Sequence, residues 1–144
     1  MGMVVTFCGH REVTNPAEVR EWLYRQVAEL LRTGARVFLL GGYGEFDRMA
    51  AAVVWELKSD YPGVQSILVL PYPDKKADTH NYDCTEYPPL EKVPRRYTIS
   101  HRNRYMVEQA DVVVAYVGHS WGGAAQTLKF AQRRNKKVIQ YSDA

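Results

Sequence analysis

An α/β fold is what this sequence predicts: one Rossmann-like, doubly wound parallel sheet with helices on both faces. Three observations predict it. Short apolar runs rich in β-branched residues alternate with amphipathic stretches along most of the chain. The runs are continuously apolar, as strands buried on both faces of a parallel sheet are. The first, second and fourth of them open into glycine-bearing loops where helices then begin. With right-handed crossovers, about five strands fit the order 3-2-1-4-5.

The elements follow in order. "MVVTFC" is a buried strand stopping at Gly9. In "NPAEVREWLYRQVAELLRTG", Asn15 suits an N-cap, Pro16 the first helical position and Gly34 the C-terminal stop. Val19, Trp22, Leu23, Val27, Leu30 and Leu31 make its apolar stripe. "RVFLL" is a second strand. "FDRMAAAVVWELKS" is a second helix, with Met49, Ala50, Val53, Val54 and Leu57 inward, and "SILVLP" is a third strand. Residues 72–96 are polar, punctuated by tyrosine and proline, and without period, so they read as a long irregular loop. "TISHRNRYMVEQA" is a short helix, "DVVVAYV" the fourth strand, "SWGGAAQTLKFAQRRNK" a helix and "KVIQY" the last strand. Residues 1–144 form a single domain in this reading, with no internal repeat.

Composition narrows the function classes. The chain has 144 residues, 46% hydrophobic and 24% charged, as soluble globular proteins do. Its net charge of +3, from 19 basic and 16 acidic residues, is too mild to imply nucleic acid as a partner. Two cysteines fit a reducing compartment. No apolar run approaches the roughly 18 residues of a membrane span. No basic region precedes the first apolar run, so no signal peptide is expected. "MGMVVT" fits the loose myristoylation pattern, but a buried strand from Met3 to Cys8 leaves an acyl chain at Gly2 badly placed. A cytoplasmic location is the expectation. Cys8-x-His10 and His80-x3-Cys84 do not have a zinc-site spacing, so no metal is expected.

In an open parallel sheet, ligands bind beyond the carboxyl ends of the strands, where strand order reverses. That places three loops at one crevice: "CGHRE", "GGYGEFD" and "VGHSWGGAAQT". In the last, Gly118 ends the strand, Ser120 suits an N-cap, and Gly122 and Gly123 open the helix ahead of Thr127. A glycine pair there costs helix stability, about 1 kcal/mol per residue in a helix interior. Close approach of a phosphate to free amides would explain it, and so would tight packing on the sheet. Beyond the first strand, Gly9 is followed by His10, suited to phosphate contact or proton transfer, and Arg11, suited to a phosphate or carboxylate. A strand-end cap and a surface ion pair are the plainer alternatives. Gly41, Gly42 and Gly44 allow a tight turn, and Glu45 and Asp47 beyond them can meet a helix dipole or a ribose diol. Arg102 and Asn103 face either the crevice or solvent.

Taken together, these motifs resemble the SLOG superfamily, the Rossmann-like group that contains DprA (Smf) and the LOG phosphoribohydrolases. "TFCGHR", "GGYGEFDRMAA", "RNRYMVEQADVVVAYV" and "GGAAQTLKFAQ" are most similar to its YpsA/YspA-like branch. The resemblance implies binding of a nucleotide or nucleotide-derived ligand, with its phosphate at Gly122 and Gly123. No cofactor is required by it. LOG enzymes carry a glutamate in a Pro-Gly-Gly-x-Gly-Thr-x-x-Glu loop. Here "SWGGAAQTLKF" has no proline, has Ala125 for a glycine, and has Lys129 or Phe130 near the acid's place.

Three functions follow as expectations. The first is a binding module or sensor for a nucleotide-type small molecule. The second is an N-glycosidic hydrolase drawing on Glu45, Asp47 or His10. The third is single-stranded DNA binding, with Arg95, Arg96, Arg102, Arg104, Arg133, Arg134, Lys136 and Lys137 as its footprint. Tyr72, Tyr82, Tyr87 and Tyr97 would close over a base as a lid or pack against a second subunit in a homo-oligomer.

Overall fold

A computed structural model describes residues 2–142. Six strands run parallel: β1 (Met3–Gly9), β2 (Ala35–Leu40), β3 (Gln65–Val69), β4 (Cys84–Glu86), β5 (Val112–Tyr116) and β6 (Lys137–Gln140). Their order is β4-β3-β2-β1-β5-β6. Helices α1 (Pro16–Arg32), α2 (Glu45–Lys58), α3 (Thr98–Gln109) and α4 (Gly123–Arg133) provide four of the five crossovers, and the one from β3 to β4 has no helix.

The period-two side-chain alternation of a strand sorts the core into two layers. Val5, Phe7, Phe38, Leu40, Val112 and Val114 meet the stripes of α1 and α2, where Val19, Leu23, Val27, Val53 and Val54 are buried. Their neighbours in sequence point the other way. Cys8, Val113 and Ala115 pack with Val107 of α3 and Ala131 of α4, and Leu39 and Val69 pack with Met106. Thr6 is the buried polar exception on β1, and its hydroxyl donates to the Leu39 carbonyl at 2.9 Å. Asn15 and Pro16 open α1 as expected, although the Asn15 side chain makes no capping bond. Gly34 follows the helix at φ +120°, the left-handed conformation that a stop glycine provides.

The five expected strands keep their relative order, but the count of five is corrected to six. The segment 72–96 is not wholly irregular: it supplies β4, in register with β3 as Ile67↔Cys84 and Val69↔Glu86, and a 3-10 turn at Arg95–Tyr97. Hydrophobic period could not find β4, because it is three residues long and largely exposed. Longer-range polar bonds hold it instead. The Asp83 carboxylate accepts from the Ser66 amide at 2.8 Å and pairs with Lys58 at 3.3 Å. The Tyr105 hydroxyl of α3 donates to the Glu86 carboxylate.

Candidate functional site

Two helices begin at the carboxyl edge of the sheet in almost the same way. Gly44 caps α2 at φ +94°, ψ 173°, and Gly122 caps α4 at φ +91°, ψ 174°. Each cap carbonyl accepts the first helical bond, from Arg48 and from Gln126, both at 3.1 Å. What lies in front of each helix differs. A Cβ on Gly44 would sit 2.8 Å from the Arg11 Cα, and the Glu45 amide donates to the Arg11 carbonyl at 2.8 Å. The chain after β1 therefore fills the mouth of α2. A Cβ on Gly123 would meet nothing within 4 Å, and on Gly122 only His119 Cε1 at 4.0 Å. The Gly123 and Ala124 amides have no acceptor among the described residues, and both residues line a cavity of about 1150 Å³. Unpaired amides at the positive end of a helix dipole suit an anion.

This placement corrects the expected cap: Gly122, not Ser120, is the N-cap of α4, and Ser120 is exposed and does not line the cavity. Its carbonyl accepts from Lys129 Nζ at 3.3 Å. Thr127 does line the cavity, with its hydroxyl donating back to the Gly123 carbonyl at 2.8 Å.

On the facing wall, His10 is committed within the protein. Its Nε2 accepts from the Gly118 amide at 2.8 Å, so the neutral ring carries its proton on Nδ1. Burial, and then the neighbouring His119, lower its pKa below the ordinary histidine value. The His10 and His119 rings stack at 3.8 Å, and His119 stacks on Trp121 at 3.8 Å. His119 Nδ1 is buried with no hydrogen-bond partner among the described residues. Trp121 is 68% exposed on its far side. Sequence reasoning did not single out His119 or Trp121. Their place between Gly118 and Gly122 in the strand-four loop was the available signal.

Arg102 is only 2% exposed, and its role is to hold strand ends together. Nη1 donates to the carbonyls of Gly41 at 3.0 Å and Val69 at 2.9 Å, while Nε donates to Asn103 Oδ1 at 2.9 Å. A Cβ on Gly41 would lie 3.1 Å from the guanidinium carbon and 3.2 Å from Asp47 Oδ2, so the close approach at Gly41 is to the protein itself. Asp47 accepts from the Tyr43 amide at 3.2 Å. Burial raises its pKa to about 6, against the opposing pull of that amide, Arg102 and Arg48. Burial in turn lowers the Arg102 pKa, with Asp47 opposing. At Gly9 the glycine is explained by packing, since a Cβ there would be 2.2 Å from the Phe46 ring.

The large cavity thus brings together Gly9, His10, Arg11, Asp47, Arg102, Asn103, Gly118, Gly122, Gly123 and Thr127. Gly41 and Gly42 line a second cavity of about 350 Å³, which shares Tyr43, Ile99 and Arg102 with the first. Gly44, Glu45 and Ser120 line neither. Arg11 is exposed, with its guanidinium 5.3 Å from the centre of the Tyr43 ring. Among the described residues no three histidine, cysteine or acidic side chains cluster as metal ligands would. Cys8 is in the core, its thiol pushed up to about 12 by burial, and Cys84 is exposed.

No protein-family model matches this chain, and no curated protein matches its sequence. Solved structures do match its fold. DNA processing protein A from Helicobacter pylori, described for its single-stranded DNA binding mode, superposes with a TM-score of 0.71 at 21% identity, covering 99% of this chain and 66% of that one. DNA processing protein A (DprA) from Streptococcus pneumoniae gives 0.71 at 17% identity, covering 99% of this chain and 51% of that one. The molybdenum cofactor carrier protein of Chlamydomonas reinhardtii gives 0.65 at 22% identity, covering 97% and 76%. The chain therefore spans about two thirds of the first protein and half of the second. At these identities the likeness is one of fold alone. It gives no support to the expectation against nucleic acid, because one of these proteins binds single-stranded DNA. Among the described residues no helix is long and apolar enough to cross a membrane.

Proposed function

We propose that this chain is a SLOG-type protein of the YpsA/YspA-like branch, acting in the cytoplasm, that binds a nucleotide or nucleotide-derived small molecule. The ligand's phosphate sits on the amides of Gly123 and Ala124. One observation carries the reading: of two helices capped in the same conformation, α2 is closed by Arg11 while α4 opens onto the large cavity. Arg11 reaches the ligand from the strand-one loop, and Thr127 fixes the helix turn that presents the amides. Titration calorimetry with AMP and with inorganic pyrophosphate is the test. Both should bind, and Gly123→Asp, which sets a carboxylate among the amides, should abolish binding while leaving the folded state intact. Binding untouched by that substitution would sink the proposal.

A second reading is supported by Asp47, which lines the cavity with a pKa raised to about 6. A carboxyl poised near neutrality suits acid–base work on an N-glycosidic bond. Free base released from nucleoside monophosphates by the native protein, and not by Asp47→Asn, would establish it. Glu45 lies outside the cavity and has no part in this scheme. Single-stranded DNA, suggested by the Helicobacter pylori protein's binding mode, is the third ligand to titrate, at two salt concentrations.

A further inference from the structure

The second cavity has features that the phosphate site does not use. Its floor is apolar, made by Ala51, Leu68 and Leu70, and Tyr72 and Tyr82 form its walls. Those walls are held in place. Tyr72 lies under the Arg95 guanidinium, 4.0 Å from the ring centre. Next to Tyr82, the Asn81 carbonyl accepts from the Ser66 hydroxyl at 3.2 Å, and Asp83 is anchored on the Ser66 amide. Gly42 sits at φ +69°, a conformation that favours glycine, and a Cβ there would be 2.8 Å from Leu68 Cδ1. Within this frame several polar groups, open to solvent, make no hydrogen bond to the protein among the described residues. They are the Arg48 guanidinium, the Tyr72 and Tyr82 hydroxyls, and one oxygen of Asp78, whose other oxygen accepts from the His80 amide at 2.9 Å. A cavity of about 350 Å³ that combines apolar and aromatic side chains with polar groups free of hydrogen bonds to the protein is the form of a small-molecule site.

We infer that this second cavity is a subsite for a flat nitrogen heterocycle bearing an amino group, carried by the ligand whose phosphate lies on α4. The inference rests on the phosphate reading above. The ring stacks against Tyr72 and Tyr82, Arg48 donates to a ring nitrogen, and Asp78 accepts from the amino group. The two cavities adjoin through Tyr43, Ile99 and Arg102, so one molecule can occupy both. The distance argues for a ligand larger than a mononucleotide. From β5, which leads into α4, to β3, which floors the second cavity, is three strand spacings, about 14 Å. One nucleoside monophosphate does not cover that span, whereas two nucleosides joined through a diphosphate do. The exposed face of Trp121, one residue before the Gly122 cap, then takes the first base and the second cavity takes the other.

Titration calorimetry with diadenosine diphosphate against AMP tests this. The dinucleotide should bind about tenfold or more tightly than AMP, the scale on which one base stacked on an aromatic side chain strengthens binding. Ala77→Trp, which fills the cavity from its loop wall, should remove that advantage and leave AMP affinity within twofold of the native value. Tyr82→Leu, as a second variant, should reduce the advantage without filling the space. If AMP binds and the dinucleotide binds no tighter, or if its advantage survives both substitutions, the ring subsite is overturned and the phosphate site stands. If neither nucleotide nor pyrophosphate binds the native protein, both readings fall.

Discussion

Helices α2 and α4 enter the structure through the same glycine conformation at the same edge of the sheet, yet the first amide of α2, at Glu45, already has an acceptor, while that of α4, at Gly123, has none among the described residues. At α2 the polypeptide supplies its own acceptor, the Arg11 carbonyl, and backbone packs within 2.8 Å of where a Gly44 side chain would start. At α4 the space in front of Gly122 and Gly123 is open. The difference teaches how to read a glycine-capped helix. The cap conformation is a requirement of the turn, and what fills the helix mouth separates a structural turn from a candidate anion site.

Substitutions at and around the two helix mouths test that contrast. The largest effect should come from Arg102, which ties the α2 turn to β3. Arg102→Leu leaves the Gly41 and Val69 carbonyls without their donor and should cost about 3–5 kcal/mol in urea unfolding. Gly44→Ala adds left-handed strain to a backbone clash and should cost about 2–3 kcal/mol. Gly122→Ala, strained but unobstructed, should cost about 1 kcal/mol less than Gly44→Ala. Equal losses at Gly44 and Gly122 would remove the distinction between a filled mouth and an open one.

Asp47 gives an intermediate effect with a definite sign. Its pKa is raised from 3.8 to about 6 in the folded protein. The folded state therefore binds the proton more tightly than the unfolded chain. Stability from this group is present below about pH 4, is lost as pH rises to about 6, and is level above that, with a total of about 3 kcal/mol. Asp47→Asn keeps an acceptor for the Tyr43 amide and should flatten this part of the profile and raise stability at pH 7. An unchanged slope between pH 4 and 6 would show that another group titrates there. The smallest effect belongs to Gly123→Ala: with no positive φ and no neighbour to meet, it should shift stability by less than about 1 kcal/mol.

The sheet was legible in the sequence wherever burial on both faces left continuous apolar runs, as at Val112–Val114 and Phe38–Leu40. The order of those runs followed from right-handed crossovers. β4 was illegible because Ser66, Asp83 and Tyr105 hold it through bonds between distant residues, and no local pattern records them. The same limit applies at the candidate site. Glycine loops marked the carboxyl edge of the sheet, but not why each glycine is there. Gly9 answers to the Phe46 ring and Gly41 to Arg102, contacts made only once α2 and α3 are packed. Arg102 read as facing either the crevice or solvent, and its burial against two strand-end carbonyls could not be seen from its neighbours.

The short strand β4 has a consequence for how these molecules meet one another. Without it, β3 would be the margin of the sheet, offering the backbone of Ile67, Leu68 and Val69 as a template on which another chain could pair. With it, that margin is three residues long and carries Glu86, and the opposite margin, β6, begins at Lys137. Short, charged margins of this kind resist the edge-to-edge addition from which aggregates grow. The stretch with no readable period thus serves as a barrier to aggregation.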